Sequence, residues 1–153
     1  MTTASSNISA EDVGSFFKNL LGLQIKACDS DGEVTPGAVA VYADSEGNPA
    51  GYIVTDVACA ATLGAALTQI PPGIVKESIQ TGQISENIRE NIGEVFNIST
   101  NLLPSHQSKH LGLKSTDFDG GIELPSPDKV TFDHTFELDV QRYGKGKMRL
   151  IEC

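Results

Sequence analysis

Apolar side chains recur along residues 84–103 with the spacing of a helix. At 100° per residue, Ile84, Ile88, Ile92, Val95, Phe96, Ile98, Leu102 and Leu103 fall on one side, and Glu86, Glu90, Glu94, Asn97 and Asn101 on the other. The pattern predicts one amphipathic helix from Ile84 to Leu103, ended by Pro104. A second helix is expected over residues 10–21, where Val13, Phe16, Phe17, Leu20 and Leu21 form one stripe. Ser9 and Asp12 have the spacing of a capping box, Ile8 and Val13 that of a hydrophobic staple, and Gly22 supplies the stop. A third helix is expected from Val57 to Leu67, capped by Asp56 and ended by Pro71, Pro72 and Gly73. It is small and apolar nearly all round, so it should be buried, with Gly64 and the alanines permitting close approach to a neighbour. Ile74 to Gln80 reads as a short helix.

Alternation marks the strands. Leu23–Cys28, Gly37–Ala43 and Gly51–Thr55 are separated by turns at Asp29–Gly32 and Asp44–Pro49, which suggests an antiparallel meander. Lys109–Lys114 is a further strand candidate, and 117–128 reads mostly as loop. Val130, Phe132, Phe136, Leu138 and Val140 alternate with polar residues as a half-buried strand. A turn from Arg142 to Gly146 returns the chain as a hairpin partner over Lys147–Glu152. Helices and strands come in blocks, which predicts an α+β fold with a mainly antiparallel sheet and helices packed on one face. The length suits a single domain over 1–153, with residues 1–8 a flexible N-terminal segment.

Composition narrows the function. The net charge of −9 weighs against nucleic acid or an anionic membrane as partner, because both reward clustered Lys and Arg. It permits docking on a basic protein surface, although its plainest consequence is solubility. No signal peptide or membrane span is evident, and Cys28, Cys59 and Cys153 are scattered as expected of small buried thiols in a reducing cytoplasm. His106 and His110 have metal-ligand spacing but follow Pro104 in a polar segment, so they read as surface histidines and no metal is expected. His134 falls on the apolar face of the last strand and reads as a packed or rim histidine. No nucleophile elbow, phosphate loop or dinucleotide fingerprint is present.

The polar stripe of residues 84–103 is the strongest functional candidate. Glu90, Glu94, Asn97 and Asn101 line one ridge. Glu86, Glu90 and Glu94 repel one another mildly with no lysine among them, whereas a helix optimised for stability would mix in cations. A carboxylate there can grip a partner's lysine, while an amide one turn away can orient a water.

Through these residues the chain resembles the CheC/CheX family of bacterial chemotaxis phosphatases. That family's motif is Asp or Ser, three residues, Glu, two residues, Asn, then a proline farther along. Glu94-Val-Phe-Asn97 matches its Glu-x-x-Asn element, and Gly51–Asp56, the small-residue helix and the closing hairpin follow in the family's order. Glu90 stands at the Asp/Ser position, and Gly120 at the proline's expected place with Pro125 nearest. One copy of the motif is present, since Asn19 has no Glu three residues before it, so the likeness is to the single-site CheX type. The resemblance implies hydrolysis of the aspartyl phosphate of a CheY-type receiver domain. Glu94 would pair with the regulator's lysine, Asn97 would position the attacking water, and Glu90 and Asn101 would contact the partner. The partner would supply Mg²⁺, so no cofactor is needed, and a homodimer through a sheet edge is also implied. The alternatives are a non-catalytic signalling or interaction module on the same fold, and a small-molecule binder with a pocket behind helix 57–67. The functional reading of the ridge requires Glu94 and Asn97 to face solvent.

Overall fold

The computed structural model describes residues 8–153, so most of the expected N-terminal segment lies outside the described residues. Ile8, the last residue of that segment, packs half-buried against the core. Helix α1 (Ala10–Leu21) starts at the capping box, where Ser9 Oγ accepts from Asp12 N–H and Asp12 Oδ2 accepts from Ser9 N–H, both at 3.1 Å. Gly22 closes the helix in the left-handed conformation with φ 71°.

The strands are β1 (Ile25–Ser30), β2 (Ala38–Ala43), β3 (Pro49–Thr55), β4 (Gly112–Asp117), β5 (Phe132–Val140) and β6 (Gly144–Glu152). They form one six-stranded antiparallel sheet in the order β1-β5-β6-β3-β2-β4. The two hairpins β2–β3 and β5–β6 are as expected, but the three-strand meander is not. β1 leaves its sequence neighbours and pairs with β5 at the far edge, Ile25 opposite Val140 and Ser30 opposite Thr135. Several boundaries also move. The turn of the last hairpin is Gln141–Tyr143 rather than Arg142–Gly146. β4 begins at Gly112 because residues 104–110 coil into successive turns, with His110 at φ 52°.

Helices α2 (Val57–Leu67), α3 (Pro72–Thr81) and α4 (Glu86–Ile98) join α1 on one face of the sheet. α2 ends at Leu67, well before the prolines, and Pro72 instead opens α3, where its missing N–H costs nothing. The core between the layers holds Phe17, Tyr42, Ile53, Leu63, Ile88, Phe96, Phe136 and Met148. Strand alternation sends Val39, Val41, Tyr52, Val54 and Ile151 to the opposite face. There Ile122, Leu124 and Val130 of the 118–131 segment cover them. Val130 therefore lies outside β5 and packs on the other side from Phe136.

The predicted helix 84–103 is shorter than its periodicity. Ile84 is buried in the preceding loop, α4 covers Glu86–Ile98, and a 3₁₀ turn follows over Ser99–Leu102. Two hydroxyls compete for helix carbonyls at this point: Ser99 Oγ donates to Val95 O at 2.6 Å and Thr100 Oγ1 to Asn97 O at 2.9 Å.

α4 is seated by contacts that the small residues of α2 allow. A Cβ on Gly64 would stand 2.8 Å from both the Ile88 carbonyl oxygen and its Cγ2, so only glycine admits this crossing. Asn91 Nδ2 donates to Gly64 O at 2.9 Å and to Thr68 Oγ1 at 2.8 Å. From the sheet, Tyr42 Oη donates to Phe96 O at 2.5 Å.

Burial pushes the Tyr42 phenol far above its ordinary value of 10.0, and burial followed by the nearby Asp56 pushes the Cys59 thiol above 9.0. Both groups hold their protons when folded and release them when unfolded. Their stabilisation is complete below the unfolded values and is lost as pH rises past them, Cys59 first and Tyr42 next. Tyr42→Phe should cost about 1–2 kcal/mol at neutral pH, since the Phe96 carbonyl loses a buried donor. It should also flatten the decline above pH 10. Urea titrations at pH 8 and pH 11 check both, and equal declines in the two proteins would refute the assignment.

Candidate functional site

α4 presents two unlike faces. Ile88, Ile92, Val95 and Phe96 are buried, whereas Glu86, Glu90, Glu94, Asn97 and Asn101 are exposed. The structure thus brings all four predicted site residues, Glu90, Glu94, Asn97 and Asn101, onto one open surface that continues from α4 into the 3₁₀ turn. Among the described residues, none of the glutamates on this ridge makes an ion pair. The one basic residue of α4 is drawn away from it. Arg89 Nε donates to Ile84 O at 2.9 Å, and its guanidinium lies 4.9 Å from the Phe118 ring centroid. The ridge therefore keeps an acidic and amide character over its whole length.

Ile98, expected in the core, is 37% exposed and belongs to this surface. The signal was present in the spacing: four residues after Glu94, it lies only about 40° from Glu94 on the helical wheel. Its apolar character alone suggested the core.

Beyond Asn101 the ridge meets a groove of about 310 Å³ between α1 and the 3₁₀ turn, lined by Phe16, Leu103 and Pro104 and by Asp12, Asn101 and His106. Sequence reasoning did not assemble this groove, because its walls come from segments about ninety residues apart.

The other candidates resolve differently. Of the thiols expected to be buried, Cys59 is, but Cys28 is exposed on the edge strand β1 and Cys153 is half-buried. His106 Nδ1 is 2.8 Å from the Leu103 carbonyl, so that nitrogen is committed to backbone, and His110 stands exposed in a separate turn. Among the described residues, no group of three or more His, Cys, Asp or Glu is placed to hold a metal ion. His134 is a rim residue as expected: it stacks on Phe136 with centroids 4.5 Å apart, and Nε2 is 2.8 Å from Asp29 Oδ1. Asp56 is the cap of α2, accepting from Cys59 N–H at 2.7 Å. A depression of about 620 Å³ lies between α1 and β1 and touches no residue of α2, and α2 itself is packed against α4 and β6. Among the described residues, this depression therefore does not lie behind helix 57–67, where the third alternative needs a pocket. No helix of the described residues is long and apolar enough to cross a membrane.

No protein-family model matches the chain, and no curated protein matches it. Solved structures do. The FliM middle domain from H. pylori superposes with a TM-score of 0.66 at 8% identity, over 94% of this chain and 84% of that one. A CheC-like superfamily protein from Shewanella sp. PV-4 gives 0.55 at 12% identity, over 99% and 98%. The chemotaxis protein CheX from Vibrio vulnificus gives 0.52 at 11% identity, over 91% and 92%. At these identities the likeness is one of fold, and the chain has the α+β fold shared by the FliM middle domain, CheX and CheC-like proteins.

Proposed function

We propose that this chain is a protein-interaction module of chemotaxis or flagellar signalling that docks through the exposed face of α4 onto a basic surface of its partner, a receiver domain in the first instance. The observation that carries this reading is the withdrawal of Arg89 onto Phe118, which among the described residues leaves Glu86, Glu90 and Glu94 without an ion pair, with Ile98 exposed one turn beyond Glu94. Unpaired carboxylates attract and orient a cationic surface, and an exposed apolar side chain among them supplies area that a partner can bury. The fold supports an interaction role, since H. pylori FliM forms a complex with FliG. Glu90 at the position of the shorter Asp or Ser also favours binding over catalysis.

A second reading is favoured by one observation: Glu94 and Asn97 are both exposed, one helical turn apart. In that reading Glu94 grips the lysine of a phosphorylated receiver domain, and Asn97 orients a water for attack on the aspartyl phosphate. The chemistry asks little more of this chain, because an acyl phosphate is labile and positioning is the main contribution needed.

One experiment separates the two. Receiver domains are phosphorylated, and both binding and release of inorganic phosphate are followed with wild type, Asn97→Ala and Glu90→Lys/Glu94→Lys. Docking through α4 predicts that the charge-reversed variant loses at least about tenfold in affinity and that wild-type binding weakens with salt. Unchanged affinity in that variant would remove α4 as the docking face. If Asn97→Ala keeps binding but slows phosphate release by about a hundredfold, the phosphatase reading holds. Equal release rates leave the interaction module.

A further inference from the structure

We propose that the groove between α1 and the 3₁₀ turn is a receptor for one lysine or arginine side chain of the docked partner. The inference rests on the reading of α4 as a docking face and deepens it, since Asn101 belongs to both the ridge and the groove.

The groove has the composition such a side chain requires. Phe16, Leu103 and Pro104 form an apolar lining against which an aliphatic stem can lie. The polar groups at the same place are acceptors or can act as acceptors. A carbonyl oxygen can only accept, so the 2.8 Å contact between His106 Nδ1 and Leu103 O puts a proton on Nδ1; in the neutral ring Nε2 is then an acceptor, and no described residue bonds it. Asp12 uses Oδ2 for the Ser9 N–H in the capping box, and among the described residues nothing bonds its Oδ1. Asn101 is exposed at the rim and can turn its amide oxygen inward. Among the described residues, no lysine or arginine lines the groove, and the adjoining ridge carries Glu86, Glu90, Glu94, Asn97 and Asn101 as its exposed polar groups.

The volume of about 310 Å³ has room for one long side chain. An anion would meet the Asp12 carboxylate and an uncharged apolar group would leave these acceptors without donors, so charge complementarity selects the cation. The partner then offers two kinds of contact. One cationic surface faces Glu90 and Glu94, and a separate basic side chain enters beside His106. A partner meeting only the ridge would bind without a fixed register, whereas the groove sets which way it lies along α4.

The test uses the full chain labelled with ¹⁵N and titrated with N-acetyl-arginine methylamide, N-acetyl-lysine methylamide and the neutral isostere N-acetyl-citrulline methylamide. At least one cationic compound should shift the amide signals of Phe16, Leu102 and His106 saturably, with dissociation constants of about 1–10 mM. The citrulline compound should not. Asn101→Lys, a change at an exposed position that leaves the fold intact, should weaken the shifts at least about fivefold. Three results would overturn the proposal: no saturable shift, equal shifts with citrulline, or shifts of the same size at the remote acidic turn of Asp44 and Glu46. The two readings fail separately. If the cationic compound binds but no receiver domain does, the docking function falls and the groove stands. If receiver domains dock with unchanged affinity to Asn101→Lys and the compounds do not bind, the groove falls alone.

Discussion

Gly146→Ala should lower the urea midpoint of unfolding by about 1–3 M, corresponding to a loss of about 3 kcal/mol. Gly146 lies on β6 directly beneath the first turn of α2. A Cβ there would stand 2.4 Å from the Cα and N of Cys59 and 2.6 Å from its Cβ. Two of those atoms are backbone, so relief requires moving the helix away from the sheet rather than turning a side chain. The helix cannot move cheaply, because its other side is engaged with α4 at Gly64. Gly93→Ala is the matched control. Gly93 lies within α4, its new Cβ would meet nothing within 4 Å, and its φ is not positive. That change should raise stability by about 0.5–1 kcal/mol through helix propensity. A Gly146→Ala midpoint equal to wild type would mean that α2 does not pack on β6 as closely as described.

The second large effect is expected at the same junction. Asp56→Ala should cost about 2–3 kcal/mol, or about 4–12 °C in Tm. Part of this is the ordinary loss of an N-cap, the 2.7 Å bond from Cys59 N–H. The remainder arises because both carboxylate oxygens lie 3.2 Å from Lys147 N, one residue beyond the last β3–β6 pair, Thr55 with Met148. The Asp56 backbone N–H in turn donates to Lys147 O at 3.2 Å. The side chain thus continues the ladder where the main chain has turned into a helix. Removing it leaves Lys147 N–H without this acceptor. Asp56→Asn separates the two contributions: asparagine caps a helix as well as aspartate, but it has a single acceptor oxygen to serve both N–H groups. Its Tm should fall between those of wild type and Asp56→Ala. A value equal to wild type would leave the cap as the whole of the role.

These two sites mark how far sequence reasoning reached: Gly146 was expected in a turn and instead lies on β6 against α2, whereas Asp56 was placed correctly. Asp56 was legible as a cap because an N-cap bonds its own helix three residues away. The capping box of Ser9 and Asp12, the buried small-residue face of α2 and the exposure of Glu94 and Asn97 were legible for the same reason. Each rests on contacts within one turn or on the period of one element. The bond from Lys147 to Asp56 spans 91 positions and left no trace in spacing. Helix α4 shows the boundary within one element. Its period separated Ile88 from Glu90 correctly, but it extended the helix through Ser99 and Thr100, whose hydroxyls take carbonyls that a longer α-helix would use. The assignment of Ile98 to the core followed residue type, while its angular position beside Glu94 decided the outcome.

The sequence by itself determined the type and approximate place of the helices and strands, the apolar face of each apart from residues such as Ile98 and Val130, and the ridge of carboxylates and amides along α4. These properties follow from local hydrogen bonding and from the two periods of 3.6 and 2. Only the tertiary structure decided that β1 joins β5 at the far edge, that Arg89 leaves the ridge for Phe118, and that α1 and the 3₁₀ turn enclose a groove of acceptors. Each of these depends on a partner many residues away, selected by the burial of both surfaces at once. Ile25 meets Val140 and Arg89 meets Phe118 because those pairings complete the packing, and no property of either segment alone specifies the other.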